Sequence, residues 1–258
     1  MKKGKSKKEK VKRRKFLKTM IFSFASIVSP GYLLAEEQLK KVKKWILGED
    51  YNPYEHHWGM GIDINKCIGC GRCANACKKE NNVPDEPFFF KTWVERYQIY
   101  EDGSTVVDSP NGATNGFKSK NEKDKKLVRS FFVPKICNHC DNPPCVSCCP
   151  TGASHVHDVG GVVLVNHNEC IGCKACLASC PYDARFVHPE GYADKCTFCI
   201  HRVEKGEDPA CVSVCPTHCM YFGDLEDPNS EVSKLLKSRK NHALIPEAGT
   251  KPKIFYLT

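Results

Sequence analysis

Cys67-Ile68-Gly69-Cys70-Gly71-Arg72-Cys73-Ala74-Asn75-Ala76-Cys77 sets four cysteines at C-x2-C-x2-C-x3-C spacing. Cys170, Cys173, Cys176 and Cys180 repeat that spacing, with Pro181 behind. Two looser groups lie beside these runs. Cys137, Cys140, Cys145 and Cys149 are followed by Pro150, and Cys196, Cys199, Cys211 and Cys215 by Pro216. Sixteen of the 18 cysteines therefore fall into four groups of four, and three groups end in Cys-Pro.

A run of this form is the signature of a bacterial ferredoxin loop, which binds a cubane iron–sulfur cluster. Three cysteines at i, i+3 and i+6 can wrap one loop around one cluster, while the fourth reaches the other cluster of a pair. The proline behind it fixes φ, removes an N–H and turns the chain away. Gly69, Gly71 and Gly172 let the backbone pass close to inorganic sulfide. Zinc is the nearest rival, since its sites use C-x2-C pairs a dozen or more residues apart, and the fourth group alone could be read that way. The first and third groups could not. Disulfide scaffolds are dense in cysteine but seldom repeat this spacing. Cys148, beside Cys149, leaves the register of the second group open; Cys149 is preferred because it gives the C-x3-C-P ending. Cys219 reads as a small buried hydrophobe.

The 258 residues carry a net charge of +9, but the excess is local. Residues 1–18 hold 11 of the 39 Lys/Arg and one of the 30 Asp/Glu, leaving 28 basic against 29 acidic residues in the rest. The basic excess is a tail without aromatic stacking partners, which argues against nucleic acid. Lys12-Arg13-Arg14-Lys15-Phe16-Leu17-Lys18 followed by the apolar Met20–Ala35 reads as a twin-arginine export signal. That run is short for a membrane span and is interrupted by Pro30 and Gly31. Export of a folded protein suits clusters assembled in a reducing compartment. Leu39, Val42, Trp45 and Ile46 then fall on one helical face, either against a membrane surface or docked on protein.

A strand, a cysteine loop and a short helix recur. The strand-like His57-Trp58-Gly59-Met60-Gly61-Ile62-Asp63 precedes the first group, and Gly161-Val162-Val163-Leu164-Val165 precedes the third. The expected fold is α+β: two ferredoxin-like dicluster units with a β-hairpin insertion and an extended C-terminal arm. The expected boundaries are a signal at 1–35, a linker at 36–57, a core at 58–221 with the insertion at about 88–133, and the arm at 222–258. In the insertion, Phe88–Tyr100 and Val128–Val133 are β-prone and joined by a polar loop at about 101–127. Much of the core would be cluster, so cluster binding would supply part of the folding free energy.

Four groups in this order resemble the four-cluster iron–sulfur subunit of the molybdopterin oxidoreductases. That family includes the electron-transfer subunits of dimethyl sulfoxide, polysulfide, thiosulfate and tetrathionate reductases and the nitrite-reductase-associated ferredoxin. Gly69-Cys70-Gly71-Arg72-Cys73 with Ala76-Cys77-Lys78-Lys79-Glu80-Asn81 is similar to the family's first motif, and Cys137-Asn138-His139-Cys140-Asp141-Asn142-Pro143-Pro144-Cys145 to its second. Cys196-Thr197-Phe198-Cys199, Cys215-Pro216-Thr217 and Phe222-Gly223-Asp224-Leu225 match its fourth. Phe88-Phe89-Phe90-Lys91-Thr92-Trp93-Val94-Glu95-Arg96-Tyr97 looks most like the sulfite-reductase-associated periplasmic form.

The resemblance pairs the first group with the fourth and the second with the third, the last cysteine of each crossing over. It thus implies one cluster on Cys67, Cys70, Cys73 and Cys215, and one on Cys196, Cys199, Cys211 and Cys77. A third would sit on Cys137, Cys140, Cys145 and Cys180, and a fourth on Cys170, Cys173, Cys176 and Cys149, giving four [4Fe–4S] clusters. It further implies a periplasmic, membrane-associated electron relay in anaerobic or sulfur respiration. Its partners would be a polytopic quinone-reactive membrane subunit and either a molybdopterin catalytic subunit or a multihaem cytochrome.

No nucleophile–base pattern, phosphate loop or substrate motif is present, so the chain reads as a carrier rather than an enzyme by itself. A free-standing periplasmic polyferredoxin is the alternative. Arg72, Lys174 and Lys195 sit beside ligands and read either as cations that raise the potentials of nearby anionic clusters or, preferably, as exposed charges; His139 reads as a neighbour of ligands or a surface residue. Metal analysis of protein purified without oxygen is expected to find iron and labile sulfide in matching amounts and almost no zinc. Stoichiometric zinc without iron would overturn the cluster assignment.

Overall fold

A computed structural model describes residues 55–85, 89–118 and 125–258. The export signal assigned to 1–35 and the apolar face at 39–46 lie outside the described residues.

Strand β1 (Trp58–Asp63) is buried along all six residues. A strand buried throughout needs cover on both edges and both faces. Three later elements, β9 (Met220–Asp224), helix α6 (Glu231–Ser238) and β11 (Ile254–Leu257), pack on it, and a fourth, β10 (Asn241–His242), extends the sheet beyond them. The sheet runs β10-β11-β1-β9, with β11 parallel to β1 and β9 antiparallel to it. Met60 lies opposite both Ile254 and Phe222. Ser230 caps α6 by accepting the N–H of Ser233, and Val232 packs with Tyr221 and Leu257.

The C-terminal segment is therefore not an arm laid beside the body. One strand, β9, runs across residues 221 and 222, and the last residues form an inner strand of the sheet. The physical reason is burial. Ile254, Tyr256 and Leu257 are at most 2% exposed, and strand pairing satisfies their backbone polar groups.

After β1 the chain turns through the first cysteine loop into α1 (Arg72–Glu80). Cys73 and Cys77 sit one turn apart on its buried face. Gly71, at the N-terminus of α1, has φ 70°, and Lys174, at the matching place in the third loop, has φ 65°. The two loops thus follow one backbone path. At Gly71 the close approach also excludes a side chain, because a Cβ would run into the carbonyl of Ala113.

The insertion is a three-stranded sheet. β2 (Thr92–Tyr100) and β4 (Leu127–Ile136) pair antiparallel from Thr92 opposite Ile136 to Tyr100 opposite Leu127. Between them in sequence, β3 (Thr105–Asp108) pairs with the other edge of β2. The connection expected as loop thus holds a strand, fastened where Arg96 donates to both carboxylate oxygens of Asp108 at 2.8 and 2.7 Å. Such bidentate pairs fix geometry as well as charge.

Helix α2 (Pro144–Ser147) lies within the second cysteine group and α3 (Ala175–Ala178) within the third, and the hairpins β5 (Ser154–Val156) with β6 (Val163–Val165) and β7 (Phe186–Val187) with β8 (Ala193–Asp194) lie between groups. Helices α4 (Ile200–Val203) and α5 (Ala210–Ser213) follow. The hairpins return the chain from one cysteine loop to the next. Among the described residues no helix is long and apolar enough to cross a membrane.

Ile254→Ala is expected to cost about 2–5 kcal/mol, the range for truncating a fully buried aliphatic side chain. Denaturant unfolding of the cluster-loaded protein measures it, and a loss below about 0.5 kcal/mol would contradict the place given to the C-terminal strand.

Candidate iron–sulfur sites

None of the 18 cysteines is in a disulfide. The walls of three cavities of nearly equal size bring them together in sets. Cys67, Cys70 and Cys73 face Cys215 across about 310 Å3, walled also by Val94, Pro134, Met220 and a fifth cysteine, Cys219. Cys137, Cys140 and Cys145 face Cys180 across about 320 Å3. Cys170, Cys173 and Cys176 face Cys149 across about 330 Å3. In each, one loop supplies three sulfurs and a distant one the fourth.

The remaining four are mutual neighbours. Asn81 Nδ2 lies 3.6 Å from Cys77 Sγ and 3.5 Å from Cys199 Sγ. Burial pushes the Cys211 thiol up, and Cys77, Cys196 and Cys199 beside it push it further. Cys148 stands outside all four sets, with its Sγ 3.2 Å from Ser179 Oγ.

Local structure explains these positions. α5 begins after Pro209 and carries Cys211 on its buried side, and Cys215 follows its last turn. Cys215-Pro216-Thr217 and Cys149-Pro150-Thr151 then take the same form. Each sulfur has a threonine hydroxyl at 3.7 Å and a backbone N–H at 3.4 Å, from Cys219 and Ser154 respectively. Burial raises these two thiols, but the donors outweigh it and hold both below the usual thiol range. Other sulfurs are also met by N–H groups. Phe198 N lies 3.4 Å from Cys196 Sγ and Ala193 N lies 3.3 Å from Cys170 Sγ.

Most of the inner thiols behave oppositely. Burial pushes Cys73 and Cys140 up to about 12 and Cys77 up to about 11. Such thiols are protonated at neutral pH, and thiolate ligation to iron must displace those protons. The residues fit a four-iron cluster. Three sets place their sulfurs around a cavity, the remaining one brings four buried sulfurs beside one another, and N–H donors are aimed at sulfur. Among the described residues no three or more His, Cys, Asp or Glu converge closely enough to hold a single metal ion.

Several basic side chains are buried near the cysteines. Lys195, expected at the surface, is 1% exposed. It follows β8, whose two residues are both buried, and its Nζ donates to the carbonyls of Val163 and Cys196. Burial lowers its affinity for a proton, while Cys137, Cys196 and Cys145 act the other way. Arg72 and Lys174 are exposed. His139 is fully buried. Its Nδ1 accepts the N–H of Val163 at 3.2 Å, and its ring stacks on Phe198 at 3.8 Å. The proton is then on Nε2, a buried atom without a partner among the described residues. Cys219, read as a buried hydrophobe, is 2% exposed and also lies 3.4 Å from Cys215 Sγ.

Spacing alone did not single out Asn81, Lys253 or Arg185. Lys253 is buried and donates to the Gly161 carbonyl at 2.5 Å. Asn81 had a signal in the first motif. Arg185 and Lys253 carried none, since Arg185 lines its cavities from outside the cysteine spacing and Lys253 is buried from the C-terminal segment, which has no cysteine.

Two family profiles, each described as a 4Fe-4S dicluster domain, match residues 66–153 and 128–225. Together they place four [4Fe–4S] clusters in this chain. A tetrathionate reductase subunit of Salmonella typhimurium is 40% identical over 205 residues, covering 78% of this chain and 72% of its own. A polysulfide reductase chain of Wolinella succinogenes is 41% identical over 200 residues, covering 77% and 92%. A sulfite dehydrogenase subunit of Allochromatium vinosum is 39% identical over 213 residues, covering 76% and 80%.

The wall composition predicts how single substitutions group. Cys180→Ser is expected to alter the same paramagnetic signal as Cys140→Ser, and a different signal from Cys173→Ser, when the reduced proteins are compared by electron paramagnetic resonance. A shared signal for Cys180→Ser and Cys173→Ser would contradict the crossed arrangement.

Proposed function

The chain belongs to the [4Fe–4S] dicluster family of iron–sulfur electron-transfer subunits of reductases, and from that premise we propose that it relays single electrons through its four clusters between two fixed partners. One cluster is held by Cys67, Cys70, Cys73 and Cys215, and a second by Cys77, Cys196, Cys199 and Cys211. A third is held by Cys137, Cys140, Cys145 and Cys180, and the fourth by Cys149, Cys170, Cys173 and Cys176. Each cluster, when bound, takes up and releases one electron, with no bond made to a substrate.

The observation that carries this reading is the pattern of exposure. Cys70 and Cys173 are the exposed cysteines among the sixteen, and they belong to different sets. Beside them Ile68 and Ile171, the middle residues of the two matching loops, are 58% and 68% exposed. The remaining two sets share buried neighbours. Cys73 and Cys77 lie one helical turn apart on α1, Lys195 stands beside both Cys196 and Cys137, and Arg185 lines the cavities of Cys145 and Cys176. That sequence of neighbours gives a linear wire with an apolar, accessible loop at each end. A shuttle that loads and unloads through one cluster needs one such exit; a relay needs two.

The partners we assign are a polytopic quinone-reactive membrane subunit at one end and a molybdopterin catalytic subunit or multihaem cytochrome at the other. The setting is a periplasmic, membrane-associated complex of anaerobic or sulfur respiration, reached by the twin-arginine route. The relatives named as parts of reductases and a dehydrogenase support it.

Isolation of the tagged protein from detergent-solubilised membranes without oxygen is expected to bring two other subunits. A molybdopterin protein with a polytopic partner identifies a terminal oxidoreductase, and a multihaem cytochrome identifies the alternative complex. Recovery of the protein alone, able to exchange electrons with soluble donors, would overturn the relay in favour of a free carrier.

A further inference from the structure

Arg185 is 7% exposed and sits between two cavities. Its Nη2 donates to Cys145 Sγ at 2.9 Å and to Ser154 Oγ at 2.8 Å. The same side chain lines the cavity of Cys137, Cys140, Cys145 and Cys180 and that of Cys149, Cys170, Cys173 and Cys176. Nη1 is buried and has no partner among the described residues. No carboxylate pairs with this guanidinium among them. Its fixed positive charge is therefore answered by sulfur, and an arginine keeps that charge at any physiological pH.

The contrast with the first set is direct. The cavity of Cys67, Cys70, Cys73 and Cys215 has no charged side chain on its walls. Lys174, which lines the fourth set's cavity, is exposed, so solvent screens it. Arg185 is screened far less, because it is buried.

We propose that Arg185 is a shared potential-setting residue, raising the reduction potentials of the two clusters between which it lies. Reduction of a cluster adds one negative charge, and a buried cation in contact with ligand sulfur lowers the energy of the reduced form more than that of the oxidised form. One guanidinium serves both clusters, so its field biases an arriving electron toward this half of the wire. The hydrogen bond to Cys145 Sγ acts in the same sense by withdrawing charge from the ligand. The inference rests on the cysteine sets proposed above. Those sets are tested separately, by cysteine substitutions that leave Arg185 in place.

The test is a redox titration of the full-length, cluster-loaded protein, followed by electron paramagnetic resonance, with Arg185→Gln and Arg185→Lys compared with the unsubstituted protein. Arg185→Gln retains a donor for Ser154 and removes the charge; Arg185→Lys retains the charge and loses the planar fork. The expected result is that two of the four midpoints fall in Arg185→Gln while the other two stay in place, and that Arg185→Lys keeps its midpoints nearer the unsubstituted values. Midpoints unmoved in Arg185→Gln, or all four moved together, overturn the proposal. Equal falls in both variants overturn it too, because the charge is then not what matters. Loss of iron from both variants would make Arg185 a structural residue and would likewise overturn it.

Discussion

No cysteine loop in this protein closes its own cavity, and the remaining structure follows from that. Cys215 stands across from Cys67, Cys70 and Cys73, and Cys180 across from Cys137, Cys140 and Cys145. The first and fourth groups must meet although the second and third lie between them in the chain. Strands β1 and β9, which precede the first group and follow the fourth, meet that demand by pairing antiparallel, and β11 covers the other edge of β1. The second and third groups then pair with each other across their own cavities, with the short hairpins turning the chain at each step.

The insertion takes part in this closure. Val94 of β2 and Pro134 of β4 wall the cavity of the first set, and Phe132 lies so close to Gly69 that a Cβ there would be 2.5 Å from its ring. Tyr256 of β11 donates to the Pro134 carbonyl at 3.0 Å, tying the C-terminal strand to the insertion. A segment without a ligand thus determines how dry one cluster is, and dryness is among the properties that set a cluster's potential.

Charge follows a complementary logic. Burying Lys195, Lys253 and Arg185 costs desolvation free energy, which an apolar core would not return. Here the same region holds the sulfurs of the inner sets, whose ligated form is anionic. Opposite charges placed together offset each other's burial, so the cations are tolerated where the clusters sit. Without clusters, thiols such as Cys73 and Cys140 remain protonated, and Lys195 and Arg185 lose their principal counter-charge, whereas Lys253 keeps Asp141 at 3.6 Å. The fold and the clusters therefore depend on each other electrostatically as well as through ligation.

Cysteine spacing alone determined the chemistry, because four sulfurs around a cubane demand loops of fixed length and the proline and glycine neighbours leave little choice of path. The strands Trp58–Asp63 and Val163–Val165 were legible for the same local reason: each is an apolar run leading into a loop. Only the tertiary structure decided what long-range packing decides. It made the terminal Ile254–Leu257 an inner strand, because Ile254, Tyr256 and Leu257 needed cover that β1 could give. It put a strand at Thr105–Asp108, because Arg96 offered a partner to Asp108. Above all it carried Lys195 and Arg185 inside. A cation in a sequence reads as a surface residue, and only three-dimensional neighbours, here the sulfurs of distant loops, can reverse that reading.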